Sequence, residues 1–330
     1  MRFGLVVTLQ HPGAGRAPVA GLYADALRDA ELAEELGYDA ILVGEHHFVP
    51  DGFCPAPLTV AAAMAARTSR IRIGTSILIA PLMHPLRVAE EAAVVDSLSD
   101  GRLRLGIGTG YVGREFKRFG VDLRERGRLL EDGVRTMIGA WTGEDGLDVT
   151  PAPVQRPHPE LWLGVASPAG ARRVARLGQV PYFPTTPIAL LRNQIEHYRR
   201  ACETLGTEPS ERIAIVREAF IGDDEAAAWR IAGEAILRCY RTEYLRWGAV
   251  MDADPATGGR IFIRDPDDPI FSGRRLIRDR LLVGSAAELR EEIERYRELG
   301  VTDITLRFHH PGLDPEHVRE AMRRFAAEVL

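Results

Sequence analysis

One strand–helix–strand stretch carries the clearest structural signal in the sequence. Residues 71–110 read IRIGTSILIAPLMHPLRVAEEAAVVDSLSDGRLRLGIGTG. The largely apolar run 71–79 predicts a strand, residues 87–98 predict a helix, and residues 103–107 predict a second strand. Strands that read as near-continuous apolar runs are typical of a parallel sheet that is covered on both faces. We therefore expect a βαβ unit in this part of the chain.

The same alternation extends through the rest of the chain. The predicted strands are residues 3–9, 39–43, 71–79, 103–107, 161–165, 180–183, 213–221 and 302–308. The predicted helices are residues 21–36, 58–68, 87–98, 124–141, one that ends at 177, 188–205, 225–240, 286–299 and 315–329. Eight such strands over 330 residues favour an α/β fold of the (β/α)8 TIM-barrel type over an open sheet. Because no internal repeat or flexible linker divides the chain, we expect residues 1–330 to form a single domain.

Two helix starts in the C-terminal part are marked by capping residues. Ser285 and Glu288 have the spacing of a capping box. Asp314 followed by Pro315 is typical of an N-cap and the first helical residue. These signals predict helices that begin directly after residues 285 and 314.

Residues 248–280 break the alternation. This segment is rich in Asp, Pro, Gly and Arg, and it is longer than an ordinary connection in a compact domain. We expect an extended loop or insertion here. It is either a lid that follows the seventh strand–helix unit or a surface excursion.

Composition and charge exclude several classes of protein. With 42 Lys and Arg against 47 Asp and Glu, the net charge of −5 predicts no nucleic-acid partner and no anionic membrane partner. Three widely spaced cysteines predict neither a disulfide framework nor a zinc site, and they favour the reducing cytoplasm. The apolar run 77–83 is far shorter than the roughly 20 residues that span a bilayer. A cytoplasmic enzyme is the expected class.

Histidines gather at the predicted strand ends. Residues 45–48 (EHHF) follow the second strand, His84 follows the third, and residues 309–310 follow the eighth. Because chemistry in a TIM barrel lies at the C-terminal strand ends, these five histidines predict one enclosed polar site. His46 and His47 are adjacent, so at most one of them faces the barrel mouth. The functional interpretation is a general acid or base. The alternative is a structural pair tied to Glu45.

The residues that follow the fourth and fifth predicted strands are of types that often bind ligands. Residues 108–113 match Gly-x-Gly-x-x-Gly, but after the fourth strand rather than the first. They are either a turn that lets the backbone approach a planar or anionic ligand or a tight turn only. Ser167-Pro168 at a helix start is either a phosphate site or a plain N-cap.

A metal site is the weaker interpretation of these histidines. The pair 46–47 has neither His-x-His spacing nor the His-Glu-x-x-His pattern of zinc enzymes. We therefore predict no metal ligand, although residues 309–310 lie at the same expected rim.

Taken in order, these segments resemble the bacterial luciferase-like family of flavin-dependent monooxygenases. The resemblance rests on residues 45–48, 71–91, 96–110, 283–285 and 299–301. It extends over essentially the whole chain, and residues 241–281 are the least similar part.

The resemblance implies that reduced FMN binds at the C-terminal mouth of the barrel. By matched position, His46 is the catalytic histidine, and Ser76-Ile77 is a non-proline cis peptide under the flavin ring. Gly108 stands where a family member has a cysteine near the ring. Thr109 stands where the luciferase itself has an arginine, so phosphate binding is expected to depend more on neutral donors. The further cofactor-binding positions that the resemblance implies are Thr109, Tyr111, Glu115, Ala166, Ser167 and Gly170.

The resemblance also implies a chemistry and partners. An NAD(P)H:flavin reductase supplies reduced FMN as a co-substrate, dioxygen forms a C4a-peroxyflavin, and a dry site directs oxygen to a small organic substrate. A homodimer is expected, as is usual in the family. Two alternatives stay open. One is an oxidoreductase of the same fold that uses the 8-hydroxy-5-deazaflavin coenzyme, and the other is a non-catalytic flavin-binding protein.

Overall fold

A computed structural model describes the chain except for residues 14, 16, 18, 147, 255–256, 258, 273–275 and 278–279. The strands are β1 (Arg2–Val7), β2 (Ala40–Val43), β3 (Arg72–Ile79), β4 (Leu103–Gly108), β5 (Glu160–Gly164), β6 (Val180–Phe183), β7 (Ala214–Ile221), β8 (Met251–Ala253), β9 (Arg260–Phe262), β10 (Leu282–Gly284) and β11 (Asp303–Arg307). The helices are α1 (Ala20–Glu35), α2 (Pro57–Ala65), α3 (Pro85–Leu98), α4 (Gly113–Phe119), α5 (Arg126–Thr142), α6 (Pro168–Leu177), α7 (Ile188–Leu205), α8 (Glu225–Arg238), α9 (Ala286–Glu298) and α10 (Pro315–Glu328).

Eight parallel strands close into a barrel. Their order is β1-β2-β3-β4-β5-β6-β7-β11, and β11 pairs back with β1. The short join between β6 and β7 is made by Tyr182 opposite Ala214 and Phe183 opposite Ile215. The predicted TIM barrel is therefore confirmed, including its weakest predicted strand, 180–183. The remaining parallel strand, β10, extends the sheet beyond the barrel by pairing with the C-terminal end of β7.

Alternating side chains of each strand serve two cores. Ala40 and Leu42 pack inside the barrel against Trp162. Ile41 and Val43, on the same strand, face the larger core between the barrel and its helices. A parallel strand covered on both faces has no polar face, which is why these strands read as apolar runs.

Helix starts follow the predicted capping chemistry. Ser285 and Glu288 form a reciprocal capping box at the start of α9, and Asp314 caps α10 ahead of Pro315. The Ser167 hydroxyl accepts a hydrogen bond from the Gly170 amide at the start of α6. Each bond satisfies an amide that the helix itself leaves unpaired.

The N-terminal end of the barrel is closed by buried ion pairs. The Arg104 guanidinium is 2% exposed, lies 2.8 Å from Asp39 Oδ2 and 3.1 Å from Glu160 Oε2, and covers the Trp162 ring at 4.3 Å. Beside it, Arg212 pairs with Asp303. Burying charge is tolerable only when it is paired in this way.

The predicted departure at 248–280 is present. Residues 255–256, 258, 273–275 and 278–279 of that segment lie outside the described residues. In the described part, β8 and β9 form an antiparallel hairpin, and Ile263, Ile270 and Phe271 are buried. These three side chains pack against the main hydrophobic core. A lid function for the segment stays a prediction.

No helix in the described part of the chain is long and apolar enough to cross a membrane.

Candidate active site

The loops after β2 and β4 meet the segment after α8 at the C-terminal end of the barrel. This meeting point is called the mouth below. His46 comes from the first loop, Tyr111 and Glu115 come from the second, and Trp247 comes from the third segment. Glu115 lies in the first turn of α4, a helix that the sequence patterns missed. That short helix turns a carboxylate back toward the β2 loop.

His46 and Glu115 form a buried imidazole–carboxylate pair. The distance from His46 Nδ1 to Glu115 Oε1 is 2.9 Å, and the His47 backbone amide donates to the same oxygen at 2.8 Å. Glu115 is 1% exposed and His46 is 8% exposed. Because an ionised carboxylate only accepts hydrogen bonds, this contact favours the proton on Nδ1 of His46. It leaves Nε2 directed to the other side of the ring.

Aromatic rings enclose the other side of His46. The Tyr111 hydroxyl lies 3.3 Å from Nε2. The Trp247 ring is tilted by 33° over the imidazole with centroids 4.2 Å apart, and the Phe53 ring meets it edge-on at 4.9 Å. The imidazole is therefore held by one charged partner and surrounded by apolar surface.

His47 has a separate structural partner. Its Nε2 lies 2.9 Å from Glu45 Oε1, while Glu45 Oε2 accepts the Ile79 amide. The two neighbouring histidines thus bind different carboxylates. Only His46 belongs to the pair at the mouth, as expected for adjacent residues that point to opposite sides.

The predicted flavin-ring positions lie together on β3 and β4. The Ser76–Ile77 peptide bond is cis, as expected. The Ser76 hydroxyl is 2.8 Å from the Tyr182 hydroxyl, and burial, partly opposed by this hydrogen bond, raises the pKa of Tyr182 to about 12. A Cβ at Gly108 would lie 2.1 Å from Ile77 Cδ1, so the Ile77 side chain occupies that space.

The predicted phosphate positions lie beside two arginines that the motifs did not indicate. Arg260 of β9 donates to the Ala166 carbonyl, and Arg126 of α5 donates to the Gly110 carbonyl at 3.0 Å. Burial, followed by the nearby charge of Arg260, lowers the pKa of Arg126. Thr109 follows β4 directly and is partly exposed. This end of the mouth therefore carries positive charge in addition to the neutral donors expected there.

The five rim histidines do not converge as predicted. His84 is exposed. His309 pairs with Asp29 at 2.9 Å, and His310 contacts the Ala219 carbonyl. Burial, with the nearby charge of Arg307, lowers the pKa of His310 to about 3. His309 and His310 therefore have partners of their own and do not join His46, because each side chain faces a different helix or strand. Among the residues that the structure describes, no group of three or more His, Cys, Asp or Glu side chains could hold a metal ion.

A second polar group at the mouth was also missed. The Gln10 amide nitrogen donates to Asp51 Oδ2 at 2.7 Å and to Glu243 Oε2 at 2.8 Å, and its oxygen accepts from Arg307 at 2.7 Å. Arg307 ends β11, which was a usable signal because functional side chains collect at C-terminal strand ends. Glu243 lies in the segment after the seventh unit, where no motif pointed to it.

Fold and site together define a (β/α)8-barrel enzyme with an enclosed His46–Glu115 imidazole–carboxylate pair at its C-terminal mouth. The model of the luciferase-like monooxygenase family matches residues 1–303. The chain belongs to this family, whose members are oxidoreductases.

Three comparisons illustrate the relationship. The oxygenase component of flavin-dependent trigonelline monooxygenase from Acinetobacter baylyi is 25% identical, over 100% of this chain and 95% of the relative. The oxygenating constituent of 3,6-diketocamphane monooxygenase from Pseudomonas putida, solved with FMN, superposes with a TM-score of 0.82 at 20% identity, over 100% and 98% of the chains. An F420-dependent secondary alcohol dehydrogenase has a TM-score of 0.73 at 18% identity, over 99% and 98%. The two structures show likeness of fold alone.

Proposed function

We propose that this protein is a monooxygenase that uses reduced FMN and dioxygen to oxygenate a small organic substrate. The observation that carries the proposal is the His46–Glu115 pair, enclosed by Tyr111, Trp247 and Phe53. A positioned, water-shielded imidazole can hold or move a proton at a reacting oxygen. Such a group is what oxygen transfer requires from the protein, since the cofactor supplies the redox chemistry.

The residues present fit a flavin mononucleotide. Ser76, Ile77 and Gly108 would lie along the ring. The α6 N-terminus, with Ser167 and Gly170, would take the phosphate. The nearby guanidiniums of Arg126 and Arg260 suit a phosphate dianion. Ala166, Thr109 and Tyr111 complete the proposed set. At the ring end, Glu115 Oε2 is buried and has no hydrogen-bond partner among the residues that the structure describes, so it can accept one further hydrogen bond.

Each enclosing residue has a defined part in this proposal. Bound reduced FMN would supply the electrons that activate dioxygen, by way of the C4a-peroxyflavin that the resemblance implies. His46 holds a proton at the reacting oxygen through Nε2, and Glu115 fixes its tautomer through Nδ1. The rings of Trp247 and Phe53 exclude water from that nitrogen.

Partners follow from the same proposal. The relative from Acinetobacter baylyi is an oxygenase component, which supports a separate NAD(P)H:flavin reductase as the source of reduced flavin here. The substrate would be a small organic molecule. A homodimer, a single domain over residues 1–330 and a cytoplasmic location are parts of the proposal.

Rapid mixing tests the proposal. Protein loaded with reduced FMN, mixed with dioxygen, should give a C4a-peroxyflavin spectrum that outlasts the reoxidation of free reduced FMN. Reoxidation at the rate of free flavin, with all the oxygen released as hydrogen peroxide, would contradict it.

A second candidate function is a deazaflavin-dependent oxidoreductase. It is favoured by the fold likeness to an F420-dependent dehydrogenase, because the two cofactors share a ring shape and the motifs do not separate them. Hydride transfer to the 8-hydroxy-5-deazaflavin coenzyme without oxygen consumption would decide for this function.

A further inference from the structure

Asp51 and Glu243 bind to one side-chain amide. Both N–H bonds of Gln10 are used, at 2.7 Å to Asp51 Oδ2 and 2.8 Å to Glu243 Oε2. The orientation of the Gln10 amide is fixed, because its oxygen accepts a hydrogen bond from the buried guanidinium of Arg307. Gln10 is 7% exposed and Asp51 is 9% exposed. The structure therefore holds two carboxyl groups side by side, with Asp51 buried and Glu243 half-buried.

The charge around the two carboxyl groups is unbalanced. Arg307 is the cation in contact with this group of residues, and it also binds Tyr244, which in turn donates to Glu218. The titratable groups that face Glu243 come from four barrel segments and its own turn: Asp51 after β2, Tyr111 after β4, Glu218 on β7, Arg307 on β11, and Cys239 and Tyr244 beside it. Asp51 and Glu243 share the amide of Gln10, and among the described residues Arg307 is the guanidinium that contacts this amide. Close carboxyl groups in this situation do not both ionise, and one keeps a proton.

We propose that Asp51 and Glu243 form a carboxylic acid–carboxylate pair that stores one proton at the mouth and delivers it toward the His46 side during turnover. The proposal rests on the proposed function for the delivery step only. Storage of the proton follows from the geometry of Gln10 and the two carboxyl groups. Within the pair, we assign the proton to Glu243, because Asp51 Oδ1 already accepts the Phe53 amide at 3.1 Å.

The direction of titration agrees with this assignment. Burial raises the pKa of Glu243 to about 7, with a further contribution from its hydrogen bond and charge contact with Asp51, against the opposing effects of Gln10 and Arg307. At neutral pH a substantial part of the protein then has the Glu243 proton in place.

Two contacts connect the pair with His46. Trp247 lies one turn beyond Glu243, its amide donates to the Glu243 carbonyl at 2.8 Å, and its ring covers the imidazole. Tyr111 donates toward His46 Nε2. The residue as a whole is 41% exposed, but burial of its hydroxyl, together with the charges of Glu115 and Glu243, raises its pKa. The Tyr111 hydroxyl therefore contacts the imidazole and is close enough to Glu243 to feel its charge, and in the proposed step it relays the proton.

The delivery step balances as a proton transfer. Monooxygenation sends one atom of dioxygen to the substrate and reduces the other to water, with two electrons from the reduced flavin. The O–H bond of Glu243 breaks, the proton moves by way of the Tyr111 hydroxyl, and a new O–H bond forms on the departing oxygen. The Glu243 carboxylate takes a proton back from solvent before the next turnover.

Infrared spectroscopy of the cofactor-free full chain tests storage directly. The wild-type protein should show a carboxylic-acid C=O band that titrates near pH 7, a band that ordinary surface carboxyl groups lose at far lower pH. The band should be absent from Glu243→Gln and should titrate at lower pH in Asp51→Asn, because the neighbouring charge is gone. Absence of the band from wild-type protein at pH 6 would overturn the proposal.

Turnover of the flavin-loaded enzyme tests delivery. The amide in Glu243→Gln copies the shape of the protonated acid but has no acid proton. We expect an approximately 10-fold or greater loss of rate at every pH, together with loss of the decline in rate above about pH 7. In Asp51→Asn the decline should move to lower pH. The matched control is Glu234→Gln, an 89% exposed site on α8, which should keep the wild-type profile.

The outcomes separate this proposal from the proposed function. Wild-type rates in Glu243→Gln across the pH range would mean that only a neutral side chain is needed, and that result would overturn delivery. A titrating band in a protein that does not bind reduced FMN would refute the proposed function and the delivery step while the stored proton stands. Normal FMN turnover without the band would refute this proposal alone.

Discussion

At the scale of the single residue, the contact between His46 and Glu115 has the largest consequence. The carboxylate fixes the imidazole through Nδ1, and its second oxygen has no partner among the described protein atoms. The family resemblance implies that Glu115 contacts the flavin.

 In the structure both contacts of its Oε1 are to the β2 loop, so Glu115 positions the imidazole, and contact with a flavin stays a prediction.

Replacing Glu115 with glutamine tests this positioning. The variant keeps the side-chain size but replaces the carboxylate that holds His46 Nδ1 with an amide, so the tautomer and orientation of the imidazole are no longer fixed. We expect kcat to fall about 10- to 100-fold, with a smaller change in KM, which is within the range for a positioned proton-transfer group. The control is Glu90→Gln, an exposed site on α3. Equal kcat values for the two variants would argue against the pair.

At the scale of the element, the pairing of β3 with β4 depends on a glycine. A Cβ at Gly74 would lie 1.7 Å from the Arg104 carbonyl oxygen of the neighbouring strand, which is backbone and cannot move aside. The small size of residue 74 therefore serves close contact between the two strands.

Gly74→Ala should therefore destabilise the barrel. We expect a loss of about 1–3 kcal/mol in the free energy of unfolding, as for other overpacked cores, measured by urea denaturation. Gly21→Ala in α1 is the control, since no atom lies within 4 Å of its Cβ, and helix propensity predicts a neutral or slightly stabilising effect. A Gly74→Ala protein as stable as the control would show that the two strands tolerate a side chain there.

The helices and strands that the sequence predicted best are those marked by an apolar run or by a helix-capping residue. Strands 71–79 and 103–107 and the capped helices after Ser285 and Asp314 follow from apolar runs and cap chemistry. The short helix α4 and the β8–β9 hairpin were missed. Both are brief, and their stability comes from packing onto the barrel rather than from a periodic face.

At the scale of the whole molecule, contacts between distant parts of the chain complete the site. Trp247 lies about 200 positions after His46 in the chain, and no spacing rule connects the two residues. Arg260 reaches the Ala166 loop from the segment that is least like the family. The sequence therefore predicted the barrel, and it singled out His46, whose catalytic role stays a prediction. It could not predict which residues surround that histidine.

The ion pairs at the N-terminal end of the barrel should make stability depend on acid pH. Desolvation alone would raise the pKa of Asp303, but hydrogen bonds from Arg2 and Arg212 outweigh it and lower that pKa from 3.8 to about 2. A lowered folded-state pKa stabilises the protein above the unfolded-state value. That stabilisation is lost as the pH falls from about 4 through about 2.

Asp303→Asn should remove this dependence. At pH 7 we expect a loss of at least about 2 kcal/mol in the free energy of unfolding, because the variant also leaves buried guanidiniums without their partner. Between about pH 4 and 2, its stability should fall less steeply than that of the wild type. Urea denaturation at several pH values gives both quantities. Parallel curves for the two proteins would show that Asp303 titrates alike in the folded and unfolded states.

The central claim is that the mouth binds a reduced flavin mononucleotide, and anaerobic titration tests it most directly. Reduced FMN is added to the protein without oxygen, and the tryptophan fluorescence of the protein, to which Trp247 at the mouth contributes, is followed. The reduced deazaflavin coenzyme is titrated in parallel. The account predicts saturable binding of one reduced FMN per chain, tighter than that of the deazaflavin. No saturable binding of reduced FMN, or tighter binding of the deazaflavin, would contradict it.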